Sequence, residues 1–137
     1  MNDNIIRVVI DTNVWISFLI TKNQSALDNF LFNNNLRILF SEELFDEFLL
    51  VAGKRKFEKN FPRETVTSIA KVFKIYTEFV QVKTKIEICR DHTDNFLLAL
   101  SIDGHADFLI TGDKDLLALQ KIHQTMIITY RQFIDAN

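Results

Sequence analysis

Short apolar runs alternate with helix-like patterns along the whole chain. Residues 5–10 form a β-branched run that ends at Asp11, which is typical of a strand buried on both faces. Similar runs predict four more strands, at residues 36–40, 79–82, 108–110 and 126–128. Between these runs, apolar residues recur with the 3.6-residue period of a helix. That period predicts helices at residues 25–33, 42–52, 62–76, 94–102, 116–119 and 130–135.

The alternation of strands with helices predicts an α/β fold. We expect a three-layer sandwich, in which helices cover both faces of a mainly parallel sheet. With 137 residues, 47% of them hydrophobic and 25% charged, the chain has the size and composition of one globular domain. We find no internal repeat, linker or low-complexity segment, so we expect a single domain over residues 1–137.

Cysteine content and hydropathy exclude several classes of protein. Cys89 is the single cysteine, so an internal disulfide is excluded and a reducing cytoplasm is the expected setting. The chain has no uncharged apolar stretch of about 18 residues, the length needed to cross a membrane. Residues 1–4 lack the basic start and apolar run of a signal peptide, which also favours a cytoplasmic protein.

The charge of the chain is distributed unevenly. Residues 53–85 contain nine basic and three acidic residues, a balance of +6, whereas the rest of the chain has a balance of −8. The basic part is suited to contact a polyanion, although an ordinary solvated helical surface would also explain it. The nine basic residues are Lys54, Arg55, Lys56, Lys59, Arg63, Lys71, Lys74, Lys83 and Lys85.

Two aspartates follow predicted strands directly. Asp11 ends the first strand and Asp113 follows the fourth, and the working site of an open parallel sheet lies beyond the carboxyl ends of its strands. A carboxylate placed there must be hydrogen-bonded, paired or bound to a cation. A simpler reading is that Asp11 only caps a turn through residues 12–13.

Other acidic residues lie at the starts or along the faces of helices. Glu47 shares a helical row with Leu44 and Val51, so it flanks the apolar stripe and can reach over the end of the sheet or extend from the core boundary into solvent. Asp94 opens a very apolar helix that starts near residue 93 or 94, and Asp91 stands three residues earlier. One of the two is expected to be the N-cap of this helix. The other would project its charge into the site, kept ionised by the helix dipole.

Four acids on different elements predict a cation site. Converging carboxylates repel each other unless a cation offsets their charge, and oxygen ligands suit Mg²⁺ or Mn²⁺ better than zinc. The histidines do not form a zinc-binding spacing with Cys89. The four acids are Asp11, Glu47, Asp94 and Asp113.

Four segments, taken in order, resemble the PIN-domain ribonucleases. They are VVIDTN at 8–13, SEELFDE at 41–47, DHTD at 91–94 and ITGD at 110–113. The nearest resemblance is to the prokaryotic branch described as toxins of type II toxin–antitoxin pairs, and it extends from about Val8 to Tyr130. The resemblance implies a five-stranded parallel sheet in the order 3-2-1-4-5.

The resemblance also implies a catalytic site and its partners. Asp11, Glu47, Asp94 and Asp113 would bind one or two Mg²⁺ or Mn²⁺ ions and cleave RNA phosphodiesters, leaving a 5′-phosphate. Four more residues would have supporting roles. Asn13 would orient Asp11, and Thr111 would support the metal cluster. Asp91 is an alternative ligand to Asp94, and Asp115 is either an extra acid or the cap of the short helix. Lys54, Arg55, Lys56, Lys59 and Arg63 would hold the RNA backbone. Many members dimerise, so a homodimer and a cognate antitoxin are expected partners.

Two other classes of function compete with the nuclease. A phosphoacceptor signalling domain would need a second acid after the first strand, an aspartate after the third and a lysine after the fifth, and the chain has none of them. A PIN-fold module without catalytic activity, serving as an RNA- or protein-binding module, stays open because the presence of acids does not prove catalysis.

Overall fold

The central sheet is almost entirely parallel. A computed structural model describes residues 5–136, so the signal-peptide expectation for residues 1–4 lies outside the described residues. Within that range the strands are β1 (Ile6–Ile10), β2 (Leu36–Phe40), β3 (Glu78–Phe79), β4 (Phe108–Ile110), β5 (Lys121–Ile122) and β6 (Thr125–Ile128). Their order is β3-β2-β1-β4-β6-β5, and only the β5–β6 pairing is antiparallel.

The expected α/β fold is confirmed, but the expected count of five strands is wrong. The additional strand β5 pairs in antiparallel register with the start of β6 through a tight turn in which His123 has φ 51°. The third strand is two residues long and begins at Glu78. Beyond it the backbone leaves the ladder, since the amides of Lys83 and Thr84 donate to the Asp103 carboxylate at 2.6 and 2.9 Å.

Seven α-helices connect and cover the strands of the described chain. They are α1 (Thr12–Ile20), α2 (Gln24–Phe32), α3 (Glu42–Ala52), α4 (Arg63–Tyr76), α5 (His92–Asp103), α6 (Lys114–Leu119) and α7 (Tyr130–Ala136), with a single 3-10 turn at Arg55–Phe57. Ser41 caps α3 and Gly53 ends it, as the sequence predicts. Helix α1 was not predicted, because residues 14–20 are almost all apolar and show no polar face.

Helices lie on both faces of the sheet. Phe40 on β2 points to one face, where its ring packs on Trp15 and Phe73, with centroids 6.2 and 5.1 Å away. The preceding residue, Leu39, points to the other face, where it contacts α5 beside Gly104. This alternation gives the three layers that the sequence predicts.

The described residues include no helix that is long and apolar enough to cross a membrane.

Candidate functional site

Two neighbouring strands carry aspartates to the same edge of the sheet. β1 and β4 are paired in parallel, with Ile10 opposite Ile110, and the amide of Asp11 continues the ladder by donating to the Ile110 carbonyl at 2.9 Å. The strand order reverses between β1 and β4, because β2 and β3 lie on one side of this pair and β6 on the other. Such a switch point is where open α/β sheets bind ligands.

The buried hydroxyl of Thr111 links the two aspartates. It donates to Oδ2 of Asp11 at 2.8 Å and accepts from the amide of Asp113 at 3.0 Å. Because Thr111 is 1% exposed, solvent does not compete for these bonds. The Thr111 hydroxyl therefore fixes one oxygen of Asp11 and the turn that presents Asp113.

Both aspartates also cap helices. Oδ1 of Asp11 accepts from the backbone amide of Asn13 at 3.3 Å at the start of α1, so Asn13 contacts Asp11 through its main chain. Oδ1 of Asp113 accepts from the amides of Asp115 and Leu116 at 2.8 and 3.2 Å at the start of α6. The cap of α6 is therefore Asp113, and reading Asp115 as the cap is wrong. One oxygen of each capping carboxylate anchors a helix, and the other oxygen of Asp11 accepts from the Thr111 hydroxyl.

Helix α5 supplies the third aspartate. Asp91 is the N-cap and accepts from the amide of Thr93 at 2.9 Å, which leaves Asp94 in the first turn. Asp94 is 4% exposed, and its Oδ2 atom is buried without a hydrogen-bond partner among the described residues. A buried carboxylate oxygen with no partner is costly and calls for an explanation.

Burial and like charges make Asp94 hard to ionise. Burial, followed by the like charge of Asp113, by a side-chain hydrogen bond that the protonated form shares with Asp113, and by the charges of Asp91 and Asp11, raises its pKa to about 7. The expectation that the helix dipole keeps this group ionised is therefore wrong, because desolvation and repulsion outweigh the dipole. Burial also raises the pKa of Asp11, although its bonds from Thr111 and Asn13 oppose that shift.

A cleft of about 250 Å³ brings the acidic residues together. Its lining includes the half-buried Glu47, which projects from α3 as the helical row predicts. Carboxylate oxygens of Asp94, Asp113 and Asp115 lie within 4.8 Å of one another. The acidic residues that line the cleft are Asp11, Glu47, Asp91, Asp94 and Asp113.

Asp115 lies beside the cleft with a counter-charge of its own. Both of its oxygens accept from Arg90, at 3.0 and 3.1 Å. The Arg90 side chain is 89% exposed, so the pair contributes little to stability. Asp115 therefore has a cation partner that the other cleft carboxylates lack among residues 5–136.

The predicted RNA-binding segment lies partly in this cleft. Lys54 and Lys56 line it opposite the carboxylates. Arg55 and Arg63, together with Lys54, line a second cavity of about 440 Å³. Lys59 is exposed and lines neither of them. The structure thus brings two of the five predicted cations to the carboxylates and two more to the adjoining cavity.

Comparison with known proteins identifies the family. The model of the family described as PIN domain matches residues 7–115, which include every acidic residue of the cleft. The chain belongs to the PIN-domain family. An uncharacterised protein of Methanocaldococcus jannaschii is 30% identical to this PIN domain over 118 residues, covering 84% of this chain and 76% of the relative. No solved structure gives a significant match.

The residues of this PIN domain fit a hard divalent cation. Every side-chain atom of the acidic cluster that could coordinate a metal is a carboxylate oxygen, the type of ligand that Mg²⁺ and Mn²⁺ prefer. The unpartnered Oδ2 of Asp94 is an open ligand position, and a cation would lower the pKa of Asp94. PIN domains are generally nucleases, and this one has the carboxylate cluster that such activity requires.

Sequence reasoning missed one residue that positions the PIN-domain site. The side chain of Asn95 accepts from the amide of Cys89 at 2.7 Å and donates to the carbonyl of Cys89 at 3.0 Å. These two bonds fix the irregular chain that precedes α5, and with it Asp91 and Asp94. The only sequence signal was an amide side chain inside an apolar helix.

Proposed function

We propose that this PIN-domain protein is an endoribonuclease that depends on Mg²⁺ or Mn²⁺. The observation that carries the proposal is the buried, unpartnered Oδ2 of Asp94, which lies in a cleft with four other acids. A folded protein rarely keeps such an atom without a partner, and a cation supplies one. The family match supports nuclease chemistry, and the lysines beside the cleft support a nucleic-acid substrate.

Each group in the cleft has a role in this proposal. Asp11, Glu47, Asp94 and Asp113 hold the metal, while Thr111 keeps Asp11 and the Asp113 turn in place. When bound, Mg²⁺ or Mn²⁺ supplies positive charge that offsets the carboxylates, makes a water molecule more acidic and stabilises the negative charge that develops on the phosphate. Lys54 and Lys56 bind the phosphate backbone of the RNA and orient it towards the acids.

The proposal extends to biological context. As the resemblance implies, the protein acts as the toxin of a toxin–antitoxin pair in the cytoplasm, forms a homodimer and is bound by a cognate antitoxin. Cys89 is a free thiol, which fits a reducing compartment. A neighbouring small gene that encodes a DNA-binding protein would support the toxin role, and co-purification of its product with this chain would test it directly.

RNA cleavage with and without Mn²⁺ tests the enzymatic proposal. The variants Asp11→Asn and Glu47→Gln remove one charge each and keep the side-chain shape. Asp46→Asn is the matched control, because Asp46 is an exposed neighbour of Glu47 on α3 and does not line the cleft. We expect Mn²⁺-dependent cleavage by the wild type and by Asp46→Asn, and none by the two cleft variants.

A thermal-shift titration with Mn²⁺ separates the nuclease from a binding module. A catalytically silent PIN module would show neither Mn²⁺-dependent stabilisation nor cleavage. Cleavage that persists in both cleft variants would assign the activity to a contaminant and overturn the proposed site.

A further inference from the structure

A cavity beside the carboxylate cleft has the features of a nucleotide site. We call it the Arg63 cavity. It has a volume of about 440 Å³, within the range of about 300–1,000 Å³ typical of small-ligand pockets. It lies between the end of α3 and the start of α4, and its lining includes Leu49, Arg55, Phe61, Arg63 and Val66.

The Arg63 cavity and the carboxylate cleft are adjacent. Lys54 lines both of them. Phe57 lines the cleft and Phe61 lines the cavity, and their rings stack with centroids 5.3 Å apart and planes inclined by 20°. Lys54 and this aromatic pair therefore border both spaces.

The cations around the cavity are free to bind an anion. Lys54, Arg55 and Arg63 line it with one acid, Glu58, which leaves an excess of positive charge. The ion pairs found among residues 5–136 are Arg7–Glu78, Arg90–Asp115 and Arg131–Asp135, so none involves these cations. Arginine side chains bind phosphate through paired N–H donors.

The cavity also offers an apolar surface for a base. Phe61 is buried, and Leu49 and Val66 are half-buried along the lining. An apolar wall next to unpaired cations matches the two chemical parts of a nucleotide, a flat base and a phosphate. The carboxylate cleft is smaller, at about 250 Å³, and has to accommodate the metal and the scissile phosphate.

We propose that the Arg63 cavity binds one nucleotide of the RNA, adjacent to the phosphodiester that is cleaved. This inference rests on the proposed ribonuclease function and deepens it. Arg55 and Arg63 bind the phosphate of that nucleotide, and Leu49 and Val66 contact its base. Lys54 holds the phosphate that joins the two sites.

The first test measures binding of a fluorescein-labelled RNA of twelve mixed nucleotides in EDTA, which prevents metal-dependent cleavage. We expect the double variant Arg55→Ala/Arg63→Ala to weaken binding about tenfold or more, since hydrogen bonds between charged groups are lost. Lys121→Ala is the control for a single surface charge, because Lys121 is exposed at the far edge of the sheet and lines neither space. It should change the Kd by less than about twofold, as expected of a weak surface charge.

The second test fills the cavity without changing the charge. Thr67 lines the cavity and Ser68 does not, and both are exposed on α4. Thr67→Trp should therefore weaken RNA binding and raise the KM for cleavage in Mn²⁺ with kcat nearly unchanged. Ser68→Trp should have neither effect.

The outcomes separate this inference from the proposed function. If the wild type cleaves RNA in Mn²⁺ but Thr67→Trp binds RNA as the wild type does, or Lys121→Ala weakens binding as much as the arginine variant, the subsite is overturned and the nuclease stands. If the wild type neither binds nor cleaves RNA and Mn²⁺ does not stabilise it, the proposed function fails and the subsite fails with it.

Discussion

At the scale of single residues, the decisive feature is Asp94. Its carboxyl is buried beside other acids, and one oxygen has no partner among residues 5–136. Without a cation, the ionised form of Asp94 is therefore a destabilising element of the fold. A metal that binds the folded state alone would reverse this effect. The free energy of unfolding of the metal-free protein should therefore depend on whether Asp94 is ionised.

Asp94→Asn should stabilise the metal-free protein while removing its response to metal. At pH 8 in EDTA we expect a gain of about 1 kcal/mol, because the buried charge is lost. Thermal unfolding with and without Mn²⁺ measures both effects. Asp91→Asn is the control, since asparagine also caps helices well. If Asp91→Asn loses the Mn²⁺ response and Asp94→Asn keeps it, Asp91 is the ligand instead.

The raised pKa of Asp94 should make the stability of the protein depend on pH. The folded pKa of Asp94 is about 7, above the ordinary value of 3.8, so between these values the folded state binds more protons than the unfolded state. Stability in EDTA should therefore fall as pH rises from about 4 to about 7. Thermal unfolding over this range should show a steeper fall for the wild type than for Asp94→Asn. Parallel curves would contradict the assignment.

Thr111→Val should damage the site, whereas Thr111→Ser should not. Valine keeps the shape but removes the bonds to Asp11 and to the amide of Asp113. We expect a loss of about 1–3 kcal/mol in stability and of about 10–100-fold in cleavage or Mn²⁺ affinity. Serine retains the hydroxyl, so Thr111→Ser should stay near wild type. Equal activity of the two variants would remove Thr111 from the proposed mechanism.

At the scale of elements, the site is assembled from helix starts as well as strand ends. Asp11, Asp91 and Asp113 are the N-caps of α1, α5 and α6, and all three line the cleft. The amino ends of helices carry partial positive charge, which moderates the repulsion among the carboxylates. Asp94 lies in the first turn of α5, so its position depends on how closely α5 packs against the sheet.

Gly104→Ala should disturb this packing, and Gly112→Ala should not affect stability. A Cβ at Gly104 would lie 2.7 Å from Cδ1 of Leu39 and 3.0 Å from the Leu100 carbonyl oxygen, so either α5 or the fully buried Leu39 side chain would have to shift. We expect a cost of about 1–3 kcal/mol, as is typical of overpacking. A Cβ at Gly112 would have no neighbour within 4 Å. Chemical denaturation of both variants tests the contrast, and equal stability would show that α5 adapts freely.

Most elements could be predicted because their apolar spacing reflects burial on one side. Helix α1 could not, since its exposed row, formed by Asn13, Ser17 and Ile20, ends in an apolar residue, and residues 14–20 contain a single polar residue to reveal the period. Strand β5 could not either, because two residues carry no alternation. The strand ends carried Asp11 and Asp113 to one edge as predicted, because parallel strands end together.

The finer features of the site depend on contacts between distant segments. The pairing of Arg90 with Asp115 joins the irregular residues before α5 to α6. The raised pKa of Asp94 arises from its burial and from three other carboxyls. Neither of these can be predicted from spacing along the chain, because each requires knowledge of which segments pack together.

At the scale of the whole molecule, acidic and basic surfaces adjoin at one place. Lys54 and Lys56 line the same cleft as the carboxylates, while Arg55 and Arg63 line the neighbouring cavity. Net charge, which is −2 at pH 7, conceals this arrangement.

The salt dependence of RNA binding should show how many of these cations contact phosphates. With four phosphate contacts, we expect log K to fall with log salt concentration at a slope of about −3 for a single strand, and at about −1.5 for Arg55→Ala/Arg63→Ala. Lys121→Ala, an exposed lysine at the far edge of the sheet, should keep the wild-type slope. Fluorescence anisotropy over a salt series measures the three slopes, and identical values would mean that the arginines bind no phosphate.

Both edges of the sheet have the same property: β3 and β5, the outermost strands, are two residues long. Adding a further strand to either edge would form a ladder much shorter than the strands of about five or six residues that sheets commonly use. Short edges of this kind protect a protein from uncontrolled association. Assembly of this protein by sheet extension is therefore disfavoured.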